Sequence, residues 1–233
     1  HRIPDDISVV TGRSHCPSCK TLIKWHDNIP LFSYLFLKAK CRGCSAKINI
    51  KYFLVELISA INFVVIFHFF GVSLTTLLFF ILSICFVIIF FIDLKHFIIP
   101  NELTYPLMII GLLKSFDPNL NTTLFPNLVN SLIGGLFGYI IIWLIIFTYK
   151  KLRNKEGMGL GDAKLLSVIG FWFGWASIPF VIFFSSVIAL LSVVPDIIKN
   201  KKDLSSQIPF GPYLIIGNLV FLIFNEQIRL FLN

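Results

Sequence analysis

Three runs of nearly unbroken apolar side chains, at 52 to 70, 74 to 92 and 127 to 148, limit the fold of this chain more than any other feature. A helix crossing a hydrocarbon layer about 30 Å thick needs about 20 apolar residues at about 1.5 Å each, and each run meets that length. Inside lipid every backbone N–H and C=O must be paired within its own segment, which makes each run a helix. Charged residues fill only 14% of the 233 positions and hydrophobic ones 56%, which excludes a water-soluble enzyme and a disordered chain. Four further stretches read as spans: 98 to 113, 163 to 174, 177 to 194, and one that starts near Pro209 and fades after Phe224. The expected fold is an all-α polytopic membrane protein with about seven transmembrane helices.

The net charge of +8 has its explanation in topology rather than in nucleic acid. A nucleic-acid partner needs a basic face on a soluble domain, whereas here the lysines and arginines fall between apolar runs, so none is expected. With the seven spans laid down alternately and residues 1 to 51 in the cytoplasm, eighteen basic residues share the inner side and only Lys114 and Arg229 lie outside. That asymmetry is the positive-inside pattern of a polytopic membrane protein. The first residues, from His1 to Asp6, offer neither the apolar run nor the cleavage site of a secretory signal.

Residues 1 to 51 form a polar amino-terminal segment set apart from the apolar 52 to 233. It holds Cys16-Pro-Ser-Cys19 and Cys41-Arg-Gly-Cys44, two C-x2-C knuckles 21 residues apart. Four thiolates so spaced can close a tetrahedral shell around Zn²⁺, and Lys20, Lys40 and Arg42 beside them favour the ionised sulfurs. A pair of disulfides is the alternative, disfavoured by a reducing cytoplasm. The expectation is a small cytoplasmic zinc-ribbon-like domain with a structural metal at Cys16, Cys19, Cys41 and Cys44. Cys85, inside an apolar run, reads as a packing residue.

Ionisable groups at membrane depth are costly and need a reason. Asp93 ends the run from Phe86 to Ile92, and Asp162 closes Gly157-Met-Gly159-Leu-Gly161-Asp162 and opens the span from Ala163; the topology puts both at the cytoplasmic boundary. Two such carboxyls sharing one proton can supply the general base and general acid of peptide hydrolysis. Gly159 and Gly161, lacking side chains, would let an extended peptide lie against the turn. The plain alternative makes Asp162 a helix cap and Asp93 an interfacial anion paired with Lys95 or Lys164. Lys164 either biases one aspartate toward its ionised form or is an ordinary inner-face lysine. Glu56, about one turn into the first span, either binds substrate or pairs with Lys51.

Taken together, the sequence resembles the type IV prepilin leader peptidase family, bifunctional membrane aspartyl proteases of the G-x-G-D class. The resemblance is carried in order by the two knuckles flanking Asp27-Asn28-Ile29-Pro30, by Lys51 to Leu57, by Asp93 with Ile99-Pro100-Asn101, by Gly157 to Leu165, and by Pro209-Phe210-Gly211-Pro212. It implies that Asp93 and Asp162 are the catalytic pair, and that 52 to 233 is a peptidase domain and 1 to 51 a methyltransferase-associated one. It further implies prepilin or pseudopilin substrates, cut after their short basic leader and then N-methylated with S-adenosylmethionine. Such families usually carry one more helix ahead of an Arg-hydrophobic-Pro turn, and this chain opens at that turn, His1-Arg2-Ile3-Pro4, so seven of eight spans are expected. The competing classes are a polytopic transporter, whose aspartates would serve ion or substrate passage, and a zinc-anchored assembly protein without protease activity, which would tolerate Asp→Asn at positions 93 and 162.

Overall fold

Helices stand at each of the seven places the hydropathy predicts. The computed structural model describes residues 14–120, 124–153, 157–198 and 208–224. The His1-Arg2-Ile3-Pro4 turn and Lys155, Lys199, Lys201, Lys202 and Arg229 of the charge pattern lie outside the described residues. Among those described, a short α1 (Phe32–Phe36) precedes α2 (Ile50–Phe70), α3 (Leu74–His96), α4 (Asn101–Leu113), α5 (Leu128–Arg153), α6 (Leu160–Phe173), α7 (Ser177–Ile198) and α8 (Gly211–Ile223). The protein is all-helical and polytopic, with two isolated antiparallel bridges, His15 to Leu22 and Lys40 to Lys47, in place of a sheet.

Among the described residues, four helices are long and apolar enough to cross a membrane: α2, α3, α5 and the Ser177–Pro195 part of α7. The other three have 13, 14 and 13 residues. At about 1.5 Å per residue these reach about 20 Å, well short of the hydrocarbon thickness. Each is cut short by local chemistry. A 3₁₀ turn at Lys114–Phe116 ends α4, the extended Gly159 delays α6, and Pro209 stands ahead of α8.

The chain divides into two compact units, His1–Val87 and Ile88–Asn233. In the first, Asn49 caps α2 by accepting the Lys51 N–H at 3.0 Å. No residue of α2 is buried. Phe63 stacks on Phe80 at 4.0 Å and Phe70 on Phe79 at 5.0 Å, joining α2 to the start of α3.

The second unit is organised around α6. Ala163, Leu165, Leu166, Val168, Ile169 and Trp172 are wholly buried, and the Trp172 indole N–H donates to the Leu107 carbonyl of α4 at 2.8 Å. Helix α5 meets α6 backbone to backbone. A Cβ built on Gly170 would stand 2.1 Å from the Gly134 carbonyl oxygen, so only hydrogen fits there. Ser167 uses that proximity to donate to the Gly135 carbonyl at 2.8 Å. Small residues that let membrane helices touch, with hydroxyls bonded across the contact, replace the hydrophobic drive that lipid removes.

Candidate active site

Asp93 lies in the last turn of α3, where Phe97 donates its N–H back to the Asp93 carbonyl at 2.9 Å and takes a left-handed φ of 57°. That turn redirects the chain through Ile98 and Ile99 to the extended Pro100, which caps α4. The Asp93 side chain, 4% exposed, accepts the backbone N–H of Gly211 at 3.0 Å. Gly211 is the first residue of α8, so the carboxyl sits where the unpaired N–H groups and positive end of that helix favour an acceptor.

Asp162, 7% exposed, is the third residue of α6 behind an extended Gly159. Its N–H donates to the Gly159 carbonyl at 3.2 Å, and its carboxyl turns back toward the Gly159 N–H, as an acidic residue does in the first turn of a capping box. Asp93 is close enough to act electrostatically on Asp162. Ile99 stands between their supports: a Cβ on Gly161 would meet Ile99 at 3.0 Å, and one on Gly211 would meet Ile99 at 3.1 Å and the Asp93 Oδ2 at 2.7 Å. Three elements, the end of α3 and the starts of α6 and α8, therefore bring two carboxyls from distant parts of the sequence to one place.

The remaining predicted residues are placed unevenly. Around Gly159 an added Cβ would find its nearest atoms at 3.8 Å, which leaves the turn open on that side. Lys164 directs its ammonium to the Asn101 side-chain oxygen at 2.6 Å, with the Tyr105 ring 5.3 Å away, and so ties α6 to the first turns of α4. Glu56 is used within the first unit, accepting the Leu31 backbone N–H at 2.8 Å. Gly211 and Ile99 were visible in the sequence only as parts of motifs; nothing in their residue types reveals that one binds and the other spaces the carboxyls.

The four cysteines come together as two matching knuckles. Cys16 donates its N–H to the Thr21 carbonyl at 2.9 Å and Cys41 to the Ala46 carbonyl at 2.8 Å. Lys20 and Ser45, each four residues after the first cysteine of its knuckle, take φ of 59° and 57°. All four sulfurs lie within 4.8 Å of one another, with 3.9 Å between those of Cys16 and Cys44 and 4.0 Å between those of Cys19 and Cys41. A tetrahedron with metal–sulfur bonds of about 2.3 Å has edges of about 3.8 Å, so the cluster can hold a metal ion. The Thr21 hydroxyl, 2.8 Å from Cys19, draws that thiol down to about 6, and the Cys44 and Gly43 N–H groups lower Cys41, both toward the ligating thiolate. All four cysteines are free of disulfides. Arg42, inside the second knuckle, binds Asp27 in bidentate fashion at 2.9 and 2.6 Å and holds its carboxyl below the usual carboxylate range.

Comparison with known proteins gives the same outline. The model of the bacterial peptidase A24 N-terminal domain matches residues 1–70, and that of the type IV leader peptidase family matches 79–194. The prepilin leader peptidase/N-methyltransferase of Aeromonas hydrophila is 37% identical over 232 residues, 97% of this chain and 78% of that protein. That of Pseudomonas aeruginosa is 36% identical over 222 residues, 95% and 74% of the two chains, and that of Neisseria gonorrhoeae 34% over 215, 92% and 72%. No solved structure gives a significant match. Similarity that runs through the cysteine knuckles and both aspartate segments, over nearly all of the chain, means that this protein belongs to the type IV leader peptidase family.

Proposed function

We propose that this enzyme removes the short basic leader of prepilins or pseudopilins at the cytoplasmic face of the inner membrane, with Asp93 and Asp162 as catalytic pair, and N-methylates the new terminus. The observation that carries the reading is the convergence of the two buried carboxyls on one site around Ile99, in a chain whose relatives are named prepilin leader peptidase/N-methyltransferase. Those names favour it over transport or a purely structural role. One carboxylate takes a proton from the attacking water, and the other carboxyl gives a proton to the departing amine. The Gly211 N–H orients Asp93 for this, and the open side of the Gly159 turn accommodates the extended leader junction.

Residues 1 to 51 serve in this reading as a zinc-binding domain, with Cys16, Cys19, Cys41 and Cys44 as a closed structural set that leaves no position for catalysis. S-adenosylmethionine, when bound, supplies the methyl group for the freed amine. Residues 52 to 233 form the peptidase domain.

The test incubates the full chain, in bilayers, with a peptide carrying a basic leader and the following apolar segment, and follows mass. Wild type is expected to release the leader, and added S-adenosylmethionine to add one methyl group. Asp93→Asn and Asp162→Asn each lower cleavage by at least about 10²-fold while helicity is kept. Wild-type cleavage by either variant would refute the dyad.

A further inference from the structure

We infer that Trp25, Phe32, Leu35 and Phe36 of the amino-terminal unit form a bilayer anchor, inserted at the headgroup–acyl boundary of an anionic membrane, that holds the cysteine cluster against the lipid surface. The inference is independent of the peptidase reading.

The four side chains are 79%, 62%, 63% and 82% exposed. Large apolar groups clustered this openly mark a surface that is covered in use. Their position along α2 says by what. The Tyr34 ring packs on Phe53 at 5.1 Å, and the Leu31 N–H is held by Glu56 at 2.8 Å. Phe53 and Glu56 stand three and six residues beyond Ile50, about 4.5 and 9 Å along the helix. At 21 residues α2 matches the hydrocarbon thickness with almost nothing to spare, so its first two turns lie at the water–lipid boundary. Helix α1 is fixed beside those turns by the Tyr34–Phe53 and Leu31–Glu56 contacts, and so at that depth.

The geometry there is set, not loose. Leu31 adopts a φ of 62°, uncommon for a residue with a branched side chain, with Glu56 bonded to its N–H. Ser33 turns inward to the Ile29 carbonyl, leaving Phe32, Leu35 and Phe36 outward. The same segment carries Lys24, Lys38, Lys40, Lys47 and Lys51, and Asp27, the one acidic residue between 14 and 51, is already bound by Arg42. An aromatic and aliphatic face in a lysine-rich segment has the composition of an interfacial segment on anionic headgroups.

The experiment reconstitutes the full chain in bilayers containing anionic lipid and reads Trp25 fluorescence as the difference between wild type and Trp25→Phe. The expected emission is blue-shifted, loses most of its intensity to lipids brominated high on the acyl chain, and is little affected by aqueous iodide. The paired substitution Phe32→Ser with Phe36→Ser reverses that order of quenching. Quenching by iodide with indifference to brominated lipid in the wild type would overturn the anchor. Shielding from both, the sign of cover by a second copy or another protein, would overturn it too. A benzophenone side chain at position 36 gives a second readout: a lipid adduct by mass supports the anchor, and a protein adduct or none refutes it.

Discussion

At Gly211 the cost of a single methyl group can be stated. Its Cβ would lie 2.7 Å from the Asp93 carboxyl and 3.1 Å from Ile99, so Gly211→Ala must displace the group whose placement the proposed reaction needs. A misplacement of about 1 Å costs about 10²-fold in rate, and cleavage by Gly211→Ala is expected to fall by that order with thermal stability lowered by about 1–3 kcal/mol. Gly159→Ala is the control: its Cβ would meet only the Asp162 carboxyl and the Gly161 N–H, both at 3.8 Å, so its stability changes by less than about 1 kcal/mol and any loss of cleavage reports on the immediate surroundings of Asp162. Asp27 gives a pH dependence with a definite sign. Arg42 depresses its folded-state pKa, so its contribution is present above the ordinary carboxylate range and fades as pH falls through the depressed value. Deuterium-exchange protection of residues 25 to 45 should therefore differ between wild type and Asp27→Asn near neutrality and converge in acid. The residue types that can do chemistry were legible in the sequence; their partners were not. The sequence leaves Lys164 between biasing an aspartate and being an ordinary inner-face lysine, and does not show that its ammonium bonds to Asn101, 63 positions away, or that Glu56 bonds to a backbone N–H 25 positions away.

Helix positions followed from hydropathy because each long run has one solution in lipid, whereas the ends and the short helices depended on tertiary partners. The stretch at 163 to 174 starts three residues earlier, at Leu160, because Gly159 takes the extended cap position and Asp162 falls within the first turn. The α5–α6 seam was not legible, since glycine in a span reads as a neutral apolar residue until its neighbour is known. It yields the prediction for this scale. Gly170→Ala puts a methyl group against α5 backbone that cannot yield as a side chain would, and should destabilise the second unit by about 3 kcal/mol or slightly more. The check is the unfolding transition in detergent, with Gly159→Ala alongside as a substitution of equal size that meets only ordinary contacts at 3.8 Å.

For the molecule as a whole, the placement of the two sites predicts that they can be separated. Every group that shapes the carboxyl pair belongs to Ile88–Asn233, while the sulfurs belong to His1–Val87. One zinc per chain is expected by elemental analysis, and chelation or Cys16→Ser should expose residues 14 to 49 to protease. Leader cleavage should persist under the same treatment, followed by mass on the intact chain.

The shortness of α4, α6 and α8 bears on how water reaches a bond inside a membrane enzyme. Helices about 20 Å long, gathered together in one unit, cannot fill a layer about 30 Å deep. Where lipid meets a helix end that short, its polar region draws in toward the protein. For the proposed cleavage this means a bond cut at the floor of a shallow basin, with solvent as a neighbour rather than a visitor and the hydrophobic stem of the incoming protein kept in the oil.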